Sequence, residues 1–198
     1  MSARSVFSTA YFPPVSYVLQ CISAGEIRID HNEHFIKQTY RNRCHIYNSN
    51  GLLPLIIPVE HADLHKKPIR DVKISFGADW KKNHWRAICS AYRNAPFFEF
   101  LEEEFSNAFH AEKTFLVDFN THLLEKLFSI SKLQLKIEFS DFYEKKITDC
   151  QDLRNTFHPK KHSQFSTPVY HQVFADKHGF LPDLSCIDFL ANEGSFRI

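Results

Sequence analysis

The chain has 198 residues, 43% of them hydrophobic and 24% charged, with a formal net charge of +1. That length suits one domain with a sizeable core, and the composition excludes a disordered or collagen-like chain. With 24 Lys and Arg against 23 Asp and Glu there is no overall field to draw in nucleic acid. Any basic site must therefore be local, and no nucleic-acid partner is expected.

Five cysteines (Cys21, Cys44, Cys89, Cys150 and Cys186) are scattered without a C-x-x-C pair, so reduced thiols are expected rather than disulfides or a zinc knuckle. The opening "MSARSVFSTAYFPP" has no continuous apolar stretch behind Arg4. No run approaches the roughly 18 apolar residues of a membrane span. The expectation is a cytoplasmic protein without a signal peptide or transmembrane segment.

In chain order, Val6–Phe12 mixes β-branched and aromatic residues and stops at Pro13-Pro14, which predicts a strand ending in a turn. Tyr17, Val18, Cys21 and Ile22 then follow helical spacing, giving a helix over Pro14–Ala24 with Gly25 as its C-cap. Glu26–Asp30 alternates like a second strand, and the three together have the size of one parallel βαβ unit. "RCHIY", the turn Asn48–Gly51 and "LLPLIIPV" predict a hairpin, and "RDVKISF" from Arg70 to Phe76 a further strand.

From Asp79, a plausible N-cap, the period becomes helical, with Trp80, His84, Ile88 and Tyr92 on one face. Pro96 opens a second helix carrying Phe97, Phe100, Leu101, Phe105 and Phe109. Thr114 caps a third, whose apolar stripe runs from Phe115 to Phe128. Leu133–Ser140 returns to strand alternation, and the polar stretch 148–169 reads as a long loop. Ser185 and Asp188 resemble a capping box opening a short terminal helix within 185–192. The fold class is α/β. A single domain over 1–198 would have a mixed sheet containing the parallel βαβ start and the hairpin, with helices packed on the sheet.

Three groups of residues carry chemistry. The crevice of an α/β fold lies at the carboxyl ends of its strands, which places Tyr11 and the aromatic-Pro turn there; a turn packed for structure is the alternative. Neither a G-x-G-x-x-G nor a Walker pattern is present, and no cofactor is indicated. "KQTYRNRC" holds Lys37, Arg41 and Arg43 close together, with Tyr40 as a stacking face and Asn42 as a polar reader. Such a cluster either grips phosphate or carboxylate or forms a solvated strand edge. His84, on an otherwise apolar helix face, is either a core histidine or a general base. His61 and His65 have the spacing of two helical metal ligands, but "HADLHKKP" lacks the Glu of H-E-x-x-H, and no metal is expected.

These blocks occur in an order that resembles the WbqC-like protein family. The matching segments are "STAYFPPVSY", "KQTYRNRC" with the hairpin and "LIIPV", "WKKNHWRAICSAYRNAPFF", "FLVDFN", "VYHQVF" and "HGFLPDLSCIDFLANEG". Two features depart from the family pattern. Thr9-Ala10 stands where many relatives have Gln-Pro, and "TDCQDLRNTFHPKK" stands where many carry an S-G-x-x-G-K-like element. A phosphate role for that element would fall here on Arg154, Lys160 or Lys161. The resemblance implies a transferase of bacterial surface-polysaccharide metabolism, handling an amino sugar and an anionic activated substrate such as a nucleotide sugar. The resemblance does not fix a single reaction. On this view Lys37, Arg41, Asn42 and Arg43 face the ligand, Tyr11 or Tyr40 stacks on a ring, and His84 is the base. The alternative is a non-catalytic binding or scaffolding protein that uses its basic-aromatic cluster for an acidic partner.

Overall fold

The structure, a computed structural model, describes residues 5–60, 67–77 and 79–196. In chain order its elements are β1 (Ser5–Phe7), α1 (Val15–Ala24), β2 (Glu26–Ile29), β3 (Arg43–Asn48), β4 (Gly51–Ile56), α2 (Trp80–Tyr92), α3 (Phe98–His110), α4 (Leu116–Ile130), β5 (Lys136–Phe139), β6 (Gln151–Asp152), α5 (Ala175–His178) and α6 (Cys186–Glu193).

The β1–α1–β2 start is the expected parallel unit, with Val6 opposite Arg28 and Phe7 opposite Ile29. Val15, Val18 and Cys21 bury one face of α1, and Gly25, at φ 69°, lets the chain reverse at once into β2. The sheet is completed by β5 beside β2 and β6 beside β1, giving the order β5-β2-β1-β6. All three pairings are parallel. All four strands therefore end at the same edge, where open parallel sheets place their ligand crevice.

The hairpin forms as expected, with Asn48 opposite Gly51, but it stands as its own two-stranded sheet rather than joining the first. The free edge of β3 is already taken. The Tyr47 amide donates to the Tyr92 hydroxyl at 3.2 Å, and the His45 carbonyl accepts from the Ser185 amide at 2.9 Å. Backbone groups satisfied in this way have nothing left to offer a further strand.

Other differences are local. Residues 70–76 do not form a strand. A 3-10 turn spans Ile69–Asp71, and only single bridges follow, Val59 to Ile74 and Lys73 to Phe115. Neither Asp79 nor Thr114 caps a helix through its side chain; the residue before α4 is Phe115. Ser185 does cap α6, accepting from the Ile187 amide, but Asp188 turns into the core and accepts from the Tyr170 hydroxyl at 2.6 Å. The polar stretch 148–169 contributes the two-residue strand β6.

The Tyr11–Pro14 turn is closed from far away in sequence. The Val15 amide donates to the Leu184 carbonyl, the Cys186 amide to the Pro13 carbonyl, and the Ser185 hydroxyl to the Phe12 carbonyl. These bonds hold Phe12 at φ 37°, a backbone conformation rare outside glycine. The first turn of α1 has no local cap. Asp183 supplies one, its carboxylate accepting from the Ser16 amide and the Ser16 hydroxyl, each at 2.8 Å. Asp183→Ala should lower stability by about 1 kcal/mol and Asp183→Asn by much less, as read from urea unfolding. Equal losses in the two variants would deny the cap.

Candidate functional site

At the carboxyl edge, strands hand polar side chains into one buried network. Ser8 follows β1, Asp30 follows β2, Ser140 follows β5, and Arg154 lies just past β6. Backbone leaving a ladder needs new partners, and polar residues at these positions supply them. One oxygen of Asp30 accepts from the Ser140 hydroxyl at 2.8 Å and from the Asn32 and Glu33 amides at 3.1 Å. Its other oxygen pairs with Arg154 at 2.7 Å. Arg154 also forks onto Asp152, at 2.9 and 2.6 Å, and donates to the Glu144 carbonyl at 2.7 Å.

A second guanidinium closes the network. Arg41 forks onto Glu33, with Nε to Oε1 at 2.8 Å and Nη2 to Oε2 at 2.5 Å, and also donates to the Ser8 hydroxyl at 2.7 Å. Burial raises the Glu33 carboxyl above its ordinary range, while Arg41 and Ser8 pull it back. Asp152 is held below its range chiefly by its hydrogen bond from Arg154.

The network opens into a cavity of about 600 Å³ bordered by Glu33, Lys37, Tyr143, Lys145, Arg154 and Asn155. Tyr143 is 50% exposed. It stacks with His34 at 6.0 Å and receives the Arg154 guanidinium 5.5 Å from its ring centre. Lys37 and Lys145 form no ion pair among the described residues. The arrangement can hold an anion at the mouth, present a ring face beside it, and take up a proton at the buried Glu33 carboxyl.

The residues singled out in the sequence are distributed differently. Lys37 borders this cavity, but Arg41 turns inward to Glu33 and Arg43 stays on β3. The three cations therefore do not converge on one ligand, because Arg41 already has a buried carboxylate matching its planar fork. Asn42 donates to the Ile57 carbonyl at 2.9 Å and accepts from its amide at 2.8 Å, tying the site loop to the end of the hairpin. The Tyr40 carbonyl accepts from the Tyr11 amide at 2.8 Å, and the Tyr40 side chain borders another cavity, described below.

Tyr11 and His84 are brought together, but in the core. Both are buried, and the Tyr11 hydroxyl meets His84 Nδ1 at 3.0 Å. Burial lowers the His84 pKa to about 4, against an opposing effect of the Ile56 backbone. The imidazole is thus neutral near pH 7, with Nδ1 against the Tyr11 hydroxyl. Neither residue borders the carboxyl-edge cavity. This geometry is that of a packed core histidine.

Sequence reasoning passed over Asp30, Glu33, Ser140, Asp152, Tyr143 and Lys145. The usable signal was the polar residue that closes two of the predicted strands, Asp30 and Ser140. Arg154, named only as a substitute for an absent glycine element, is the hub of the network. His61 and His65 lie outside the described residues.

Residues 9–160, which carry most of this site, match the WbqC-like protein family, and the chain belongs to that family. Among individual proteins it is similar to the uncharacterized protein Rv1507c of Mycobacterium tuberculosis (strain ATCC 25618 / H37Rv), at 29% identity over 116 residues. The alignment covers 54% of this chain and 50% of Rv1507c, so the chain matches about half the length of that relative. No solved structure matches the chain. No helix among the described residues is long and apolar enough to cross a membrane.

Proposed function

We propose that the chain is a transferase of bacterial surface-polysaccharide (amino-sugar) metabolism, acting on an anionic activated substrate at the carboxyl edge of the parallel sheet. The observation that supports this most is the convergence of strand-end polar groups on a cavity whose mouth carries two cations without ion-pair partners among the described residues, Lys37 and Lys145. In this reading Lys37 and Lys145 hold an anionic group on the transferred part of the substrate, and Tyr143 packs on the sugar ring. The attacking amine or hydroxyl loses its proton to Glu33 as its bond to the transferred group forms, while the leaving phosphate keeps the bonding pair. His84 has no part in the chemistry.

Thermal shift against a panel of nucleotide sugars tests the reading. At saturating concentration at least one should raise Tm by about 5 °C. The combined Lys37→Ala and Lys145→Ala variant should keep the unliganded Tm and reduce that shift. Mass spectrometry with an amine acceptor should then find the transferred group on the acceptor. A panel with no shift, or a shift indifferent to both lysines, overturns the reading.

A second reading, a binding module for an acidic partner, draws on the exposed face of α2. There Lys82, Arg86 and Arg93 lie on one stripe and border a hollow with Phe76 and Trp85. Salt-sensitive binding of an acidic peptide, abolished by Arg86→Ala, together with no turnover of any donor, would favour it.

A further inference from the structure

A second cavity of about 620 Å³ lies beside the first, between the segments around 159–169 and 180–184. His45 and Leu52 of the hairpin border it, with the half-buried rings of Phe165 and Phe180. Tyr40 borders both this cavity and the narrow crevice over Ser8, Arg41 and Arg154. A smaller hollow of about 450 Å³ joins the two compartments. It shares Asp152 and Asn155 with the carboxyl-edge cavity, and Lys161 and His162 with the second. The three make one groove leading away from the buried network.

The far compartment is basic. Lys160, Lys161 and His162 border it and are exposed. None of the three forms an ion pair among the described residues, and the Lys160 ammonium rests on the neutral amide oxygen of Gln38 at 2.6 Å. The carboxylate on its wall, Asp183, is engaged with Ser16. Nearby His158 reports the resulting field. Burial lowers its pKa first, and Lys161, Lys160, Arg41 and Arg43 lower it further. Arg43, left over from the cluster at the start of β3, contributes to this field.

We propose that this second compartment is an anion subsite that seats the diphosphate of a nucleoside-diphosphate-activated substrate. The phosphates lie on Lys160, Lys161 and His162, and the nucleoside packs against Phe165 and Phe180. The activated group is thereby directed along the groove toward Asp152 and Arg154. What is then transferred rests on the reading given above, but binding of the diphosphate does not.

The test is a titration of isotopically labelled full-length protein, first with inorganic pyrophosphate and then with UDP, followed by amide chemical shifts. Pyrophosphate should shift the backbone amides of residues 158 and 160–163 saturably in the millimolar range or below. UDP should extend the changes to Phe165, Phe180 and His45. The Lys160→Ala/Lys161→Ala variant should weaken both ligands tenfold or more. Lys82→Ala/Arg86→Ala, on the basic face of α2, should leave both unchanged. Absence of saturable shifts at 10-fold molar excess and millimolar pyrophosphate, on the order of the weakest affinity of interest, overturns the subsite. So do shifts confined to Lys37, Lys145 and Arg154, or to α2. Shifts at the carboxyl edge would leave the transfer reading standing, whereas pyrophosphate bound at Lys160 and Lys161 without any group transfer would remove that reading and keep the subsite.

Discussion

Arg154→Ala should lower the unfolding free energy by about 3–5 kcal/mol, because it removes one partner from a buried ion pair and leaves the other charge behind. The Asp30 side chain is only 2% exposed, and Arg154 is its one cationic partner among the described residues. The same substitution frees the Glu144 carbonyl and removes the cation from beneath the Tyr143 ring. A domain of this kind has about 5–15 kcal/mol in all, so the variant would be marginally folded. Adding Asp30→Asn should recover part of the loss, since the stranded charge is then gone, and the coupling should exceed about 1 kcal/mol in a double-mutant cycle. Arg154→Lys should rescue poorly, because a single ammonium cannot fork onto Asp152 while reaching Asp30. Urea unfolding of the parent, the Arg154→Ala and Asp30→Asn single variants, the double variant and Arg154→Lys decides the matter. A loss below about 1 kcal/mol for Arg154→Ala would mean that water reaches Asp30 and that the network is not the buried hub described above.

The second large effect is a pair of opposed pH dependences. Burial pushes the Asp188 carboxyl up from 3.8 to about 6, against hydrogen bonds from Tyr170, Tyr92 and Gln172. A carboxyl that protonates more readily when folded stabilises the fold at low pH. Its contribution is full below 3.8 and is lost as pH rises through about 6. Burial lowers His84 from 6.5 to about 4, so the folded state resists its protonation. That contribution is full above 6.5 and is lost as pH falls through about 4. At about 1.4 kcal/mol per pH unit, each displacement corresponds to about 3 kcal/mol, and the two slopes oppose each other between pH 4 and 6. Replacing one group should expose the other. Relative to the parent protein, His84→Gln should lose stability progressively from pH 4 to 6.5. Asp188→Asn should gain it over the same interval. Denaturation at pH 4, 5, 6 and 7 measures both, and parallel pH profiles for parent and variants would refute the assignment.

Period and turn chemistry made much of the fold legible. Tyr17, Val18, Cys21 and Ile22 fix α1, Gly25 ends it, and the Asn48–Gly51 turn sets the hairpin register. Where a segment is too short for a period, the sequence is mute: β6 has two residues inside a polar stretch and is held by its partner β1. Residues 70–76 alternate like a strand, yet the alternation serves only to bury Val72 and Ile74 beside an irregular path. The site was half visible. The rule that ligands gather at strand carboxyl ends pointed to the edge where the buried network and its cavity lie, but attention fell on the cations of one loop. Whether Arg41 faced a ligand depended on Glu33, eight residues earlier in a segment without period, and no spacing rule links the two. For His84 the helix face was read correctly, and what lay above it was Tyr11 from another element.

The closure of the Tyr11–Pro14 turn by Leu184, Ser185 and Cys186 bears on how the chain is made. The Ser185–Phe12 bond joins residues 173 positions apart. At about 5–20 residues per second, a ribosome adds the second partner roughly 10–35 s after the first. Through that interval the left-handed Phe12 and the uncapped first turn of α1 wait without the groups that hold them. The parallel partners β5 and β6 also arrive late, so the sheet cannot be completed around β1 and β2 while the middle of the chain is being synthesised. Such distant pairings favour slow folding and a nascent chain with its first strands unprotected. The helical middle, α2 to α4, packs largely through neighbours close in sequence and has no such wait. Assembly should therefore run from the centre outward, with the crevice at the carboxyl edge of the sheet as its final act.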